Sequence, residues 1–181
     1  KQYMKQLEEL FVQYKHSNPK HIEELPSSGS NRRYFRLTAN DDSTIIGVMG
    51  TSEDENIAFV KIAEHFRRQG LPVPEVYAMS ADNRFYIQQD RTCGSFSEDE
   101  RELLRKTMAK LPSIQFLGAE GLDFNVCYPQ PEFDERMISF DLNYFKYCFL
   151  KATGIEFSEI KLEDDFQRMS DIHMRSTSAT F

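Results

Sequence analysis

The first residues of the chain place Leu7, Leu10, Phe11 and Tyr14 at three- and four-residue intervals among charged positions, which predicts a helix over 3–16. The next stretch, "HSNPKHIEELPSSGSN", loses that period and reads as loop, with a short apolar touch at Ile22 and Leu25. The period then changes to two. "RRYFRLT" (32–38) and "STIIGVM" (43–49) read as strands, and "ANDD" between them as a hairpin turn, because Asn and Asp tolerate a left-handed backbone. Strand alternation puts Arg32, Tyr34 and Arg36 on one face and Arg33, Phe35 and Leu37 on the other.

Helical spacing returns in "SEDENIAFVKIAEHFRRQG". Ser52 and Glu55 form a capping box, Ile57, Phe59, Ile62, Ala63 and Phe66 supply an apolar face, and Gly70 closes the helix. Two prolines in "LPVPEVYAMS" exclude helix and predict an extended edge segment, which turns through "SADN" into the strand "NRFYIQQD". No strand pattern follows residue 90. Ser97 and Glu100 cap a helix in "SEDERELLRKTMAKLPSIQFLG", and Gly154 ends the aromatic-rich helix "DERMISFDLNYFKYCFLKATG". A last helix, "SEIKLEDDFQRMSDIHMRS", is expected to turn Ile160, Phe166, Met169 and Ile172 inward. A small antiparallel sheet carrying one helix, followed by helices alone, predicts an α+β fold.

Composition narrows the class without naming it. With 40% hydrophobic residues, 181 positions can bury an ordinary interior, as one domain or as two lobes. No apolar run approaches the roughly 18 residues of a membrane helix, and the amino terminus is charged throughout, unlike a signal peptide. Cys93, Cys127 and Cys148 have no metal or disulfide spacing and read as thiols of a reducing compartment. A net charge of -7 argues against nucleic acid as a partner. A soluble, cytoplasmic protein with no membrane partner is expected. His16, His21, His65 and His173 have no partners at metal or catalytic spacing, so no metal ligand is assigned.

One loop carries candidate chemistry. Phosphate binding needs backbone N–H groups that can approach closely, together with fixed positive charge. Ser27, Ser28, Gly29, Ser30 and Asn31 offer the first, and Arg32 or Arg33 the second. The same residues also suit a polar turn entering a strand whose arginines reach solvent. On the loop alone both readings stand.

The surrounding order is that of a kinase-like fold. "SSGSNRRYFRL", "ENIAFVKIAEHFRRQGLPVPEVYA" and "FYIQQD" together resemble the amino-terminal lobe of the aminoglycoside phosphotransferase family of small-molecule kinases. Within it they look most like the branch of anomeric N-acetylmuramate/N-acetylglucosamine kinases and related sugar kinases. "FDERMISFDLNYFKYCFL" is similar to an aromatic helix of that branch. The resemblance implies residues 1–90 as an amino-terminal lobe and 91–181 as the start of a helical lobe. It also implies ATP and Mg²⁺, and a sugar or amino-sugar hydroxyl as acceptor. An aminoglycoside acceptor and a non-catalytic binding module are the alternatives.

The resemblance also assigns roles to residues. The loop 27–33 becomes the phosphate cradle, and Gln88, Gln89 and Asp90 the hinge where backbone groups meet the adenine. Glu55 is either a capping-box partner or the helix acid that pairs with a phosphate-binding lysine. The strand "STIIGVMG" has no such lysine, so either an arginine of the first strand takes over or nucleotide binding is weakened. Asp141 and Tyr144 are the acceptor-side candidates, the alternative being that the ring belongs to a core and the carboxylate to solvent. "RTCGSF" is shorter than the family's stretch at this point, through a deletion or a missing segment. The family's catalytic loop, an Arg-Asp followed by about five residues and an Asn, is not found. The catalytic base is therefore unknown, and the chain is expected to be a fragment that stops short of that loop.

Overall fold

The computed structural model describes residues 2–26, 31–91 and 100–177, in two compact units, Lys1–Pro129 and Gln130–Phe181. The first unit runs α1 (Gln2–Lys15), β1 (His21–Glu24), β2 (Arg33–Thr38), β3 (Thr44–Met49), α2 (Glu53–Arg68), β4 (Val76–Met79), β5 (Phe85–Gln89) and α3 (Glu100–Ala119), then a 3-10 turn at Phe124–Val126. Its strands form one antiparallel sheet in the order β1-β2-β3-β5-β4. The architecture is α+β, as expected.

Strand β1 corrects part of the loop expected over 16–31. His21 lies opposite Thr38, and Glu24 opposite Phe35. As an edge strand it needs few inward apolar residues, and Ile22 supplies one. Its two glutamates instead reach arginines of β2, Glu23 to Arg36 and Glu24 to Arg33. A charged edge also discourages pairing with another chain.

The two faces of the sheet hold separate cores. On one, Leu7, Leu10 and Phe11 of α1 pack on Phe35, Leu37, Ile45, Phe85 and Ile87. Gly47 makes this approach possible, since a Cβ there would lie 2.8 Å from Leu37 Cδ1 and 3.0 Å from Leu7 Cδ2. Each fully buried side chain of this size contributes about 1.5–3 kcal/mol. On the other face, Ile46, Val48 and Tyr86 meet Val60 of α2, with Tyr34 and Phe59 partly buried beside them.

Helix α2 begins as the sequence predicts. Ser52 is extended, and its hydroxyl accepts from the Glu55 N–H at 3.3 Å. Gly70, with φ of 74°, follows its end. The buried set is not the one expected: Asn56, Ala58, Val60, Ala63 and His65 are buried, while Ile57, Phe59, Ile62 and Phe66 are only partly so. The helix serves two neighbours, the sheet through Val60 and α3 through His65 and Phe66, so its interior side is wider than one stripe.

The second unit is helical: α4 (Glu135–Phe145), a π-helical turn (Lys146–Leu150), α5 (Lys151–Thr153) and α6 (Glu159–Thr177). Asp134 caps α4 by accepting from the Met137 N–H at 3.0 Å, and Gly154 ends α5 with φ of 70°. The inward face expected of α6 is corrected. Phe166 and Ser170 are buried, but Ile160, Met169 and Ile172 are exposed. The side of α6 that meets α4 runs through Glu163, Phe166 and Ser170, and the other three residues point elsewhere. Within this unit Lys146 is buried, its ammonium 2.6 Å from Glu163 and 3.0 Å from Glu159.

These contacts give stability a pH dependence with a definite sign. Hydrogen bonds to Glu163 and then Glu159 raise the Lys146 pKa. Its contribution is whole below the ordinary lysine value of about 10.4 and fades as pH rises above it. Hydrogen bonds from Lys151 and then Lys146 hold the Glu159 carboxyl below its ordinary value of about 4.3. That contribution is whole above pH 4.3 and fades as pH falls through the lowered value. Melting temperature followed by circular dichroism should be highest from about pH 5 to 10 and fall on both sides. Lys146→Met should shrink the alkaline fall, and an unchanged alkaline limb would contradict the assignment.

Candidate functional site

The α2 side of the sheet is built in rows fixed by strand register. Tyr34, Val48 and Tyr86 lie across β2, β3 and β5, and Arg36, Ile46 and Gln88 form the next row. Arg32 enters just ahead of β2 on the same side, as its alternation with Tyr34 requires. The side chains on the α2 side are therefore arginines at and just ahead of β2 and apolar or phenolic groups at the centre.

Arg32 and Glu55 are brought together. The guanidinium Nη2 stands 3.0 Å from Glu55 Oε1, and Nη1 donates to the Tyr86 hydroxyl at 3.3 Å. The Phe59 ring centroid lies 5.3 Å from the guanidinium carbon. Arg32 is 12% exposed and Glu55 43%, so the pair sits at the margin of the interior. Tyr86 is almost wholly buried, which raises its phenol pKa and keeps it neutral as an acceptor for Arg32. Ser52 caps α2 through the Glu55 N–H, leaving the Glu55 carboxylate turned onto Arg32.

The hinge candidates occupy the end of β5. Arg36 Nε lies 3.0 Å from Asp90, whose side chain is nearly buried, and Nη1 lies 3.1 Å from Glu23. The Gln89 N–H donates to the Glu75 carbonyl at 2.7 Å, and its side-chain oxygen accepts from Arg91 at 3.0 Å. Gln88 faces the α2 side with a buried Oε1 that has no hydrogen-bond partner among the described residues. A buried acceptor left unsatisfied costs about 1–3 kcal/mol, so this oxygen suits a ligand that donates an N–H or O–H.

The remaining candidates are placed differently. Ser27, Ser28, Gly29 and Ser30 lie outside the described residues; Asn31 is exposed. Arg33 leans the other way, gripping Glu24 through two 2.7 Å hydrogen bonds and lying over the Phe35 ring. Asp141 and Tyr144 belong to the second unit, both exposed on α4, with Tyr144 stacked 6.5 Å from Phe140. Three residues of the site region were not singled out from sequence. Asn56 is fully buried and donates to the Asn83 carbonyl at 2.8 Å, and a Cβ on Gly50 would collide with its amide. Tyr86 holds Arg32. An amide directly ahead of an apolar run, and a glycine ending a strand, were the available signals for the first two.

With the geometry in view, similarity to known proteins becomes informative. No family model matches the chain. Over 178 residues it is 25% identical to the N-acetylmuramate/N-acetylglucosamine kinase of Pseudomonas aeruginosa, covering 94% of this chain and 50% of that protein. The chain thus spans half the length of this relative. The similarity supports a kinase-like relationship.

A double-mutant cycle tests whether Arg32 and Glu55 act as a unit. Arg32→Met and Glu55→Gln should couple by about 1–2 kcal/mol in urea unfolding, between exposed and fully buried pairs. A coupling below about 0.3 kcal/mol would mean that the two groups are neighbours without mutual stabilisation.

Proposed function

We propose that the chain is the nucleotide-side part of an ATP-dependent small-molecule kinase that phosphorylates a sugar or amino-sugar hydroxyl. The observation that carries this reading is the Arg32–Glu55 pair on the α2 face of the sheet, just after a Ser/Gly-rich stretch of sequence. The similarity to an amino-sugar kinase supports it. Residues 1–90 are read as the amino-terminal lobe and 91–181 as the start of the helical lobe.

ATP with Mg²⁺ would supply the phosphoryl group and part of its charge neutralisation. Arg32 would offer fixed positive charge to phosphate oxygens, with Glu55 and Tyr86 holding the guanidinium so that little entropy is lost on binding. The backbone of Gln88, Gln89 and Asp90 would meet the base, with the Gln88 oxygen available to a donor on it. Asp141 would accept from a sugar hydroxyl, and Tyr144 would stack on a pyranose face. Among the described residues no three His, Cys, Asp or Glu side chains gather as a metal site, so none is assigned to Mg²⁺. No catalytic base is assigned either.

One observation favours a second reading, a non-catalytic kinase-like binding module. The positions of β3 that face α2 are Ile46 and Val48, and the strand carries no lysine. The test uses the whole protein that carries this chain. Melting is compared with and without millimolar Mg-ATP, and transfer from labelled ATP is screened over amino sugars, neutral sugars and aminoglycosides. Stabilisation with transfer to an amino sugar is the expected result. Stabilisation without transfer to any acceptor would leave the binding module, and the absence of both would overturn the nucleotide reading.

A further inference from the structure

Glu55 is the third residue of α2, so where its carboxylate falls depends on how far the helix slides and turns along the sheet. One residue of register moves it 1.5 Å and rotates it by about 100°. The apolar contacts of α2 with the sheet, through Phe59 and Val60, have little directional preference, and the ion pairs of Glu53 with Arg84 and of Glu55 with Arg32 hold only its first turn. Directional contacts must set the register. Near the amino end, Asn56 donates to the Asn83 carbonyl.

At the carboxyl end the contacts go to α3. His65 is 7% exposed, and its Nε2 lies 3.0 Å from the Gly118 carbonyl oxygen. A carbonyl only accepts, so Nε2 carries the proton. One turn further on, the Gln69 amide donates to the Glu120 carbonyl at 2.9 Å. The last carbonyls of a helix lack intrahelical donors, which makes the end of α3 a natural acceptor for both. The approach is close because residue 118 is glycine: a Cβ there would stand 2.8 Å from the Phe66 ring. His65 and Phe66, adjacent on α2, thus supply a hydrogen bond and a steric stop at the same point of α3.

We propose that His65 is a positioning residue for the Arg32–Glu55 pair, acting by fixing the register of α2 against the carboxyl end of α3. Ten residues separate it from Glu55, about 15 Å of helix, so it acts through the rigid helix and touches neither ligand nor pair. The part of this inference that concerns affinity rests on the nucleotide reading; the part that concerns helix register does not.

The test compares His65→Leu, which removes the donor, with His65→Gln, which keeps one within reach of the carbonyl. Amide hydrogen exchange over 53–57 and Mg-ATP affinity are measured on the whole protein. His65→Leu should raise exchange over 53–57 several-fold and weaken Mg-ATP by about tenfold, with His65→Gln within about threefold of wild type on both. Gly118→Ala, which displaces Phe66, should raise the same exchange and keeps the test open if His65→Leu does not fold. Increased exchange confined to residues 62–70, or identical behaviour of the leucine and glutamine variants, would overturn the proposal. If wild type shows no Mg-ATP binding, the nucleotide reading fails and exchange alone decides the register claim.

Discussion

A guanidinium that is 12% exposed needs a partner, because withdrawing an ion from water costs several kcal/mol unless it is paired. Arg32 is answered by the Glu55 carboxylate and the Tyr86 hydroxyl, and each constrains a different element. Glu55 ties the first turn of α2 to the start of β2. Tyr86 ties β5 to the same point, and its own burial between α2 and the sheet keeps the hydroxyl in place. The positive end of the α2 dipole lies close to this arginine, an unfavourable arrangement that Glu53, Asp54 and Glu55 in the first turn offset.

The sheet divides its labour by face. The α1 side is almost entirely apolar and serves stability. The α2 side mixes an apolar centre with arginines around β2 and a buried amide oxygen, unpaired among the described residues, at the end of β5. Ion pairs close the β2 edge, from Arg36 to both Glu23 and Asp90, and from Arg33 to Glu24. The polar groups with chemical promise therefore stand on a frame that packing elsewhere holds rigid.

Much of this was legible in the residue pattern, for local reasons. The alternation in 32–37 placed Arg32, Tyr34 and Arg36 on one face because strand periodicity admits no other solution. The turns at Asp42 and Asn83, the Ser52 cap and the Gly154 stop follow from local backbone chemistry. Strand β1 was hidden because its glutamates are satisfied by arginines of β2 nine and thirteen positions away, which no local period reports. The buried side of α2 was drawn too narrow, since His65 and Asn56 look polar in sequence and find their partners only in Gly118 and Asn83. For α6, apolar spacing alone could not tell which residues would meet α4. Within the site, Glu55 was open between a capping-box partner and an acid for a phosphate-binding lysine, and its pairing with Arg32 appears only in the structure.

The central claim is that Arg32, and not its neighbour, faces the ligand side of the sheet. Calorimetric titration of Mg-ATP into Arg32→Met and Arg33→Met variants of the whole protein tests it most directly. The account predicts that Arg32→Met weakens binding by about 10–100-fold, the usual scale for a charge-assisted contact, while Arg33→Met stays within about threefold of wild type. Equal losses, or a larger one at Arg33, would contradict it.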